Sequence, residues 1–289
     1  MSAMNRDHQA VRIIAVEDGA GLPREDQLAI EAALAIHVGA VPPLITLRTP
    51  GNDLELTAGL LLGEGLVRGP DDLLELRHAP ERGDAVQVAL RKADQRGDDL
   101  WRRSGAMTSA CGACGRSSLY EASSRNLSDA GPRVPVEFLA ALPAKLRAAQ
   151  GVFQRTGGLH AAALFDRHGE VVAVREDVGR HNALDKLLGW ALLQRRLPLH
   201  DHGVLLSGRA SYELLQKSIT AGIALVCAIS APSSYAVRLA RDHDVTLIGF
   251  LRGARLNIYS ASRRVVGLRP AESERAPFRP ASGHSARPS

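Results

Sequence analysis

Cys111 and Cys114 form a C-x-x-C pair in the stretch Cys111-Gly-Ala-Cys-Gly-Arg116. A neighbouring arginine, backbone N–H groups and a second thiol can lower the pKa of a cysteine and populate its reactive thiolate. Three kinds of chemistry use such a pair: half of a zinc site, a redox-active dithiol, or a thiol that carries sulfur from a donor to an acceptor. The third cysteine, Cys227, lies in an apolar run and is predicted to be a buried core residue.

The sequence around the C-x-x-C pair helps to distinguish these three kinds of chemistry. No second C-x-x-C and no H-x-x-x-H occurs, which disfavours a structural zinc site, and we expect no bound metal. A thioredoxin-like motif begins a helix after a strand, whereas residues 92–118 are polar and rich in Gly and Ser. His160 stands where zinc nucleotide deaminases have H-x-E, but Ala162 replaces the glutamate and the C-x-x-C precedes the histidine, so deaminase chemistry is disfavoured. Redox chemistry and sulfur transfer stay open.

Three glycine–arginine loops follow predicted strands in the second half of the chain: Gly179-Arg180-His181, Ser207-Gly208-Arg209 and Phe250-Leu-Arg-Gly-Ala-Arg255. Ligands of open α/β sheets bind beyond the carboxyl ends of the strands. Glycine lets the backbone approach a ligand, and arginine offers phosphate a planar fork. The sequence therefore predicts a site for a phosphate-bearing ligand that includes Arg180, His181, Ser207 and Arg209. Neither a Walker motif nor a G-x-G-x-x-G after a strand occurs, which argues against NTP hydrolysis and NAD chemistry.

Two further pairs have helical spacing. His181 and Asp185 lie four residues apart and would share a helix face, so the carboxylate could fix the imidazole tautomer. Capping and a surface ion-pair network are the more ordinary explanation of the same segment. Glu213 and Lys217 are also four apart, which by itself indicates only support of the helix.

The elements that must position these residues fall into two groups. Residues 11–100 are predicted to form a strand-rich α+β lobe, and residues 119–267 an α/β core in which apolar strands alternate with amphipathic helices. Such runs favour a mostly parallel sheet covered on both faces. Residues 1–10 and the tail 268–289 are predicted to be disordered, and residues 101–118 to be a mobile loop that carries the C-x-x-C pair.

Composition excludes several functions. The chain has 36 Lys plus Arg and 31 Asp plus Glu, hence a formal net charge of +5, and several of the arginines lie in the tail. No basic block or aromatic–basic interleaving is present in the folded part, so we expect no nucleic-acid partner. The longest apolar runs have the length of strands and no signal peptide is visible, so we expect a cytoplasmic protein without membrane contact.

The chain resembles the FdhD family, sulfur carrier proteins needed for formate dehydrogenase activity. The resemblance covers about Val11 to Gly267, and its most specific motif is Arg175-Glu-Asp-Val-Gly-Arg-His-Asn-Ala-Leu-Asp-Lys186. Other matching stretches are Arg48-Thr-Pro-Gly-Asn-Asp-Leu-Glu-Leu-Thr-Ala-Gly, Glu64-Gly-Leu-Val, Cys111-Gly-Ala-Cys-Gly115, Thr156-Gly-Gly-Leu-His-Ala-Ala, Ser207-Gly-Arg-Ala-Ser-Tyr-Glu213, Ala231-Pro-Ser-Ser, Thr246-Leu-Ile-Gly-Phe-Leu-Arg252 and Asn257-Ile-Tyr259.

The resemblance implies a fold and a mechanism. The core would be a three-layer α/β unit similar to cytidine deaminases, and the protein would form a homodimer. A cysteine desulfurase would pass sulfane sulfur to Cys111 as a persulfide, with Cys114 assisting. The sulfur would go to the molybdenum (or tungsten) bis(guanine dinucleotide) pterin cofactor, bound as cargo, and so to formate dehydrogenase. The family's cofactor-binding stretch maps onto Phe250, Leu251, Arg252, Gly253, Ala254 and Arg255.

Two alternatives remain at this stage. One is a non-catalytic chaperone of the molybdenum cofactor, in which the C-x-x-C pair is a redox or zinc clip. The other is a general thiol–disulfide oxidoreductase, which the same pair could serve.

Overall fold

The computed structural model describes residues 7–91 and 127–269. Cys111 and Cys114 lie outside the described residues, as do the predicted mobile loop 101–118 and nearly all of the predicted tail. None of the helices in the two described ranges is long and apolar enough to cross a membrane.

The chain begins with a two-stranded antiparallel hairpin, β1 (His8–Glu17) and β2 (Ala20–Ala29). Asp18 and Gly19 both have positive φ, the conformation of a tight two-residue hairpin turn. Because β1 starts at His8, the predicted disorder of residues 1–10 is wrong for residues 8–10. The sequence did not indicate β2, because its central residues are polar and exposed and show no apolar alternation.

A four-stranded sheet follows, with the strand order β4-β3-β6-β5. Its strands are β3 (Ala32–Val38), β4 (Leu44–Arg48), β5 (Leu73–His78) and β6 (Ala85–Leu90), and helix α1 (Asp53–Gly63) lies between β4 and β5 in the chain. The apolar pattern predicts strands at Ile30–Val38, Leu44–Arg48, Leu73–Leu76 and Ala85–Leu90 and a helix whose apolar stripe runs from Leu54 to Leu62, and the structure has all five elements there. Arg48, at the end of β4, is buried and forms a two-pronged ion pair with Asp53 at the start of α1, both N···O distances being 3.0 Å.

The second sheet has six strands in the order β13-β12-β11-β10-β8-β9. The strands are β8 (His160–Phe165), β9 (Val171–Asp177), β10 (Gly203–Leu206), β11 (Leu225–Ala228), β12 (Thr246–Arg252) and β13 (Arg255–Ser260). A short parallel pairing of β7 (Val134–Pro135) with β14 (Val265–Val266) lies apart from this sheet.

The prediction of a mostly parallel sheet is wrong. Only β10–β11 and β11–β12 run parallel, whereas β8–β9, β8–β10 and β12–β13 are antiparallel. The physical reason is the length of two connections. Short turns after β8 and β12 form the hairpins β8–β9 and β12–β13, whose strands must be antiparallel. Buried strands of either kind read as continuous apolar runs, so the sequence pattern does not separate them.

Helices cover both faces of the six-stranded sheet, which confirms the predicted three-layer α/β arrangement. One face packs against α2 (Val136–Ala149), whose buried leucines meet Phe165, Cys227 and Ile248. The other face packs against α4 (Arg180–Leu193), α5 (Tyr212–Thr220) and α6 (Ser234–Asp242). The short α3 (Gly151–Thr156) follows α2 directly.

Helix α1 joins the two predicted lobes. It crosses α4 so closely that a Cβ atom on Gly59 would lie 1.8 Å from the carbonyl oxygen of Asp185, and one on Gly189 1.8 Å from that of Glu55. Only glycine permits this approach of two helix backbones. Residues of both sheets and of both helices accordingly belong to one apolar cluster, for example Ile36, Leu56, Leu188 and Val204.

Candidate functional site

A cavity of about 540 Å³ opens where β10 and β12 end and β8 begins. Its polar wall contains His160, Ser207, Arg252 and the backbone of Gly253, and its other wall is built by α2, α3 and the turn after α3. The remaining lining residues are Pro143, Arg147, Gln150, Phe153, Gly157, Gly158, Leu159, Ile229 and Leu251. This is the carboxyl edge of the parallel strands, where the sequence predicts ligand binding.

Ser207 connects the first residue of β8 to the end of β10. Its Oγ accepts a hydrogen bond from the backbone N–H of Ala161 at 2.8 Å and lies 3.4 Å from Nδ1 of His160. Gly208 allows the imidazole to approach, because a Cβ atom there would lie 3.3 Å from His160 Nδ1 and 3.6 Å from Cδ of Arg180. Burial, and next the charge of Arg180, lower the pKa of His160, so the imidazole is neutral near pH 7.

The predicted loop at residues 250–255 is the tip of the β12–β13 hairpin. The sequence indicates a strand followed by a loop and misses β13. In β13 the exposed Arg255 and Asn257 alternate with half-buried Leu256 and Ile258, and this alternation covers only four residues. Phe250 has a φ of 52° and is 40% exposed, next to an irregular register between β12 and β13. Bulges of this kind turn a side chain out of the sheet.

The two sides of this hairpin differ. Leu251 is buried in the core. Leu251, Arg252 and Gly253 all line the 540 Å³ cavity. A second, more open hollow of about 600 Å³ is lined by Phe250, Arg252, Ala254, Arg255, Leu256 and Asn257. Arg252 therefore borders both, and the whole stretch 250–255 faces one or the other.

The other predicted binding residues separate into three situations. Arg180 lies beside His160 and Gly208 at the start of α4, so the first two glycine–arginine loops meet. His181 is buried one layer beneath them and does not line the cavity. Arg209 is exposed at the turn before α5 and is absent from both sets of lining residues.

Beneath the loops lies a buried polar cluster that we call the α4–α5 cluster: His181 and Asp185 from α4, Glu213 and Lys217 from α5. Lys217 Nζ lies 2.6 Å from Asp185 Oδ2 and 3.0 Å from Glu213 Oε1. His181 Nε2 lies 3.6 Å from Glu213 Oε2 and 3.3 Å from Ser211 Oγ. The prediction that Asp185 orients the imidazole is wrong, because Asp185 binds Lys217 and Glu213 takes its place beside His181.

Burial governs the protonation of this cluster. It lowers the pKa of His181 to about 4, against the attraction of Glu213, so the imidazole is neutral at pH 7. It raises the pKa of Asp185 to about 7, although Lys217 opposes this. Burial also lowers the pKa of Lys217, but Asp185 and Glu213 together outweigh it and the pKa ends above its usual value. Sequence reasoning missed the role of Glu213 and Lys217, since their spacing does not reveal that both are buried.

The rest of the segment 175–186 serves the structure. Asp177 is fully buried, pairs with Lys186 at 2.7 Å and accepts hydrogen bonds from the backbone N–H groups of Thr49 and Gly179. Lys186 also donates to the carbonyl of Thr49 at 2.8 Å. Arg175 binds Glu55 of α1 at 2.7 Å. These contacts fix the start of α4 to the N-terminal lobe. An ion-pair network is present as the sequence predicts, but it is buried and does not lie at the surface.

The residues that flank the C-x-x-C segment lie at the opposite edge of the sheet. Arg91 donates its backbone N–H to Asp72, whose neighbour Asp71 pairs with Arg195 beyond the end of α4. Leu127 donates to His243, shortly before β12 begins. Since α4 starts at the cavity and is 14 residues long, the two edges are about 20 Å apart.

Within residues 7–91 and 127–269, no three His, Cys, Asp or Glu side chains are grouped as metal ligands. Cys227, the one described cysteine, is buried in β11, and burial raises the pKa of its thiol. It is the core residue that the sequence predicts.

Fold and cavity together define a mixed α/β protein whose larger sheet carries an arginine-bordered cavity at its carboxyl edge. Residues 29–266 match the model of the FdhD/NarQ family. The chain therefore belongs to the FdhD/NarQ family.

Relatives named sulfur carrier protein FdhD cover most of the chain. The protein of Nocardia farcinica is 43% identical over 88% of this chain and 93% of its own length. The protein of Streptomyces avermitilis is 44% identical over 94% of this chain and 100% of its own length. The protein of Sulfolobus acidocaldarius is 41% identical over 88% of this chain and 97% of its own length. The crystal structure of a proposed formate dehydrogenase accessory protein from Desulfotalea psychrophila has the same fold, with a TM-score of 0.71, 21% identity, and coverage of 90% of this chain and 100% of that one.

Proposed function

We propose that the protein is a sulfur carrier, a sulfurtransferase that receives sulfane sulfur from a cysteine desulfurase and delivers it to the molybdenum bis(guanine dinucleotide) pterin cofactor. The thiolate of Cys111 attacks the terminal sulfur of the desulfurase persulfide. The desulfurase thiolate leaves, and the sulfur stays on Cys111 as a persulfide, with Cys114 assisting. The sulfurated cofactor then enters formate dehydrogenase. The protein acts in the cytoplasm as a homodimer.

The observation that carries this proposal is membership of the FdhD/NarQ family, whose matched residues 29–266 include the C-x-x-C pair. The names of the relatives supply the sulfur-carrier role. Both cysteines of the pair are outside the described residues, so the support for them comes from the sequence motif.

The cavity suits part of the proposed cargo. Its volume of about 540 Å³ lies within the range of small-molecule sites, roughly 300–1,000 Å³, and can take one nucleotide arm of the cofactor. Arg147 and Arg252 border it and can bind a pyrophosphate, while glycine backbone at 157, 158 and 253 allows close approach. Arg147 also stacks on the ring of Phe153, 4.4 Å from its centroid, which holds the guanidinium in place.

The described flanks of the C-x-x-C segment and the cavity lie at different edges of the sheet. The flanks at Arg91 and Leu127 are about 20 Å from the cavity, the length of α4. The chain from Cys114 to Leu127 can span at most about 45 Å when fully extended. The chain between Cys114 and Leu127 is therefore longer, when extended, than the distance from Leu127 to the cavity, so its length allows the cysteine pair to reach the cavity.

Mapping of sulfur by mass spectrometry tests the proposal. The protein is incubated with a cysteine desulfurase and cysteine, digested, and each peptide is examined for a gain of one sulfur atom. We expect the gain at Cys111 or Cys114 and none at Cys227, which is buried and has a raised thiol pKa. Loss of the gain in Cys111→Ala, with Cys227→Ala unchanged, would support the role. No gain at either cysteine of the pair, with a competent control acceptor present, would exclude it.

A cofactor chaperone without sulfur chemistry is the second candidate, because the cavity alone would serve it. It requires that a Cys111→Ala/Cys114→Ala double variant still matures formate dehydrogenase. A sulfur carrier requires that this variant fails while its fold and its nucleotide binding persist.

A further inference from the structure

Three segments meet at the carboxyl edge of the six-stranded sheet, beside the mouth of the cavity: the loops after β10 and β11 and the tip of the β12–β13 hairpin. Backbone hydrogen bonds join them. Ala210 donates to the carbonyl of Ala231 at 3.2 Å, and Ser233 donates to the carbonyl of Ala210 at 2.9 Å. Phe250 donates to the carbonyl of Ser230 at 3.1 Å. Because α6 begins directly after the second loop, these segments and its first turn form one continuous surface.

This surface is basic. Four exposed arginines lie on it: Arg209 after β10, Arg238 on α6, and Arg252 and Arg255 on the hairpin. None of the four forms an ion pair within residues 7–91 and 127–269. The segments 207–212, 229–238 and 250–257 contain no Asp or Glu at all. The guanidinium groups are therefore available to carboxylates of another molecule, which they can bind through two parallel hydrogen bonds.

The same surface carries two exposed aromatic side chains. Tyr235, on α6, is 50% exposed, and Phe250, turned out of the hairpin, is 40% exposed. The guanidinium of Arg238 lies over the ring of Tyr235, 5.6 Å from its centroid, and Tyr212 meets that ring edge-on at 6.5 Å. These contacts hold Tyr235 in one orientation although half of it faces outwards. Aromatic residues and arginine are enriched in protein–protein interfaces, and tyrosine and arginine are common hot spots there.

The extent and charge of this surface decide what kind of partner it fits. Arg209, Tyr235 and Arg238 line neither the 540 Å³ cavity nor the 600 Å³ hollow, so a ligand held in either one does not account for them. A second copy of the chain fits poorly, because a symmetric dimer would bring two wholly basic patches together. An acidic surface of a different protein matches both the arginines and the exposed rings.

We propose that Arg209, Tyr235, Arg238, Phe250 and Arg255 form a docking face for an acidic surface of the apoprotein that takes up the cargo from the cavity. The choice of this partner rests on the proposed function, in which formate dehydrogenase receives the cofactor. The position of the face agrees with an acceptor. It adjoins the cavity mouth, whereas the described flanks of the C-x-x-C segment lie at the opposite edge of the sheet.

Binding of the full-length protein to immobilised cofactor-free formate dehydrogenase, followed by biolayer interferometry, tests the docking face. We expect binding of the wild-type protein to weaken as salt rises from roughly 50 mM to 300 mM, since salt screens exposed charges. Arg238→Glu should raise the Kd at least about fivefold, because it sets a negative charge against an acidic surface. Tyr235→Ala, which changes no charge, should raise it at least about threefold.

Arg167→Glu is the matched control. It makes the same change of charge at an exposed site in the turn after β8, and since β8 begins at the cavity, that turn lies at the other edge of the sheet. Its Kd should equal that of the wild-type protein. Arg238→Glu and Tyr235→Ala should keep the GMP affinity of the cavity, which neither side chain lines.

Four results would overturn the docking face. They are absence of wild-type binding at low salt, an equal loss in Arg167→Glu, a parallel loss of GMP binding in Arg238→Glu, and a change of oligomeric state in that variant. The third would assign Arg238 to the cofactor site, and the fourth would make the face an interface between copies. Sulfur mapping with a cysteine desulfurase tests the sulfur-carrier function separately. The gain at Cys111 or Cys114 should be the same in the wild-type protein and in Arg238→Glu, so a missing gain in both refutes that function without altering the docking result.

Discussion

The crossing of α1 and α4 should tolerate no side chain at Gly189. In Gly189→Ala, the new Cβ atom would be placed 1.8 Å from the carbonyl oxygen of Glu55 and 2.7 Å from the backbone nitrogen of Gly59. Both obstacles are backbone atoms of a packed helix, so no side chain can turn away to make room. The two helices must separate instead, and with them the N-terminal lobe and the start of α4.

The cost can be worked from that distance. Ordinary contact begins at 3.4 Å, so the helices must move apart by about 1.6 Å, and gaps of ~0.5–1 Å already forfeit a quarter to a half of each van der Waals contact. Overpacking of a core usually costs ~1–3 kcal/mol, and this case lies beyond that range because the backbone itself is in the way. Alanine regains ~1 kcal/mol of helix propensity. We expect a net loss of at least about 3 kcal/mol.

Urea unfolding followed by circular dichroism measures this loss as a lower midpoint at similar slope. Gly151→Ala is the matched control, because a Cβ atom there has no heavy atom within 4 Å and Gly151 is the first residue of α3. That variant should be as stable as the wild-type protein or gain up to ~1 kcal/mol. A Gly189→Ala protein that unfolds within about 1 kcal/mol of the wild type would refute the close crossing.

Three further outcomes are expected. Asp177→Asn should destabilise by about 3–5 kcal/mol in urea unfolding, because it leaves buried Lys186 without its ion pair, whereas Asp71→Asn at the exposed Arg195 pair should leave the urea midpoint almost unchanged; equal losses would contradict the burial. Arg252→Ala should weaken GMP binding at least tenfold by calorimetry, while Arg167→Ala, at the turn after β8, should not; unchanged binding would exclude Arg252 from the site. His181 has a pKa of about 4 in the folded protein, below its value in the unfolded chain. The unfolded chain therefore binds the proton first, and the free energy of unfolding should fall as the pH drops from ~6.5 towards 4, by up to about 3 kcal/mol relative to His181→Gln. Parallel pH profiles of the two proteins would contradict this.

The positions of most elements follow from the sequence because apolar periodicity reports burial directly. The apolar pattern indicates strands β3, β4 and β6 and helices α1, α4, α5 and α6. It predicts a single helix over Val136–Gln154, where the structure has the two helices α2 and α3. The elements that were missed, β2 and β13, have exposed polar residues and are held mainly by backbone hydrogen bonds to one neighbour. β2 shows no apolar alternation, and in β13 the alternation covers only the four residues from Arg255 to Ile258, so the periodicity signal is absent in one strand and short in the other.

The site was predicted in part for a related reason. The position of a residue in a loop after a strand follows from the order of strands and loops along the chain. The structure accordingly brings four such residues together at the carboxyl edge of the sheet: Arg180, Ser207, Arg252 and Gly253. Residues that act through contacts between two helices could not be placed in this way. The choice of Glu213 over Asp185 as the partner of His181 depends on the crossing of α4 and α5, which helical spacing within either segment does not contain.

Two polar networks on α4 differ in how their buried charges are compensated. In the first, Asp177 receives Lys186, two backbone N–H groups and the side chain of Asn182, so its charge is fully satisfied. Such a network can be explained by structure alone. The α4–α5 cluster holds two carboxylates for one ammonium and keeps an oxygen of Asp185 without a hydrogen bond in the described part of the chain. Apolar side chains of similar volume would fill that space at lower cost. Hydrogen bonds and ion pairs therefore compensate the buried charge of the first network, whereas the second keeps buried carboxylate oxygens of Asp185 and Glu213 without a hydrogen bond among the described residues.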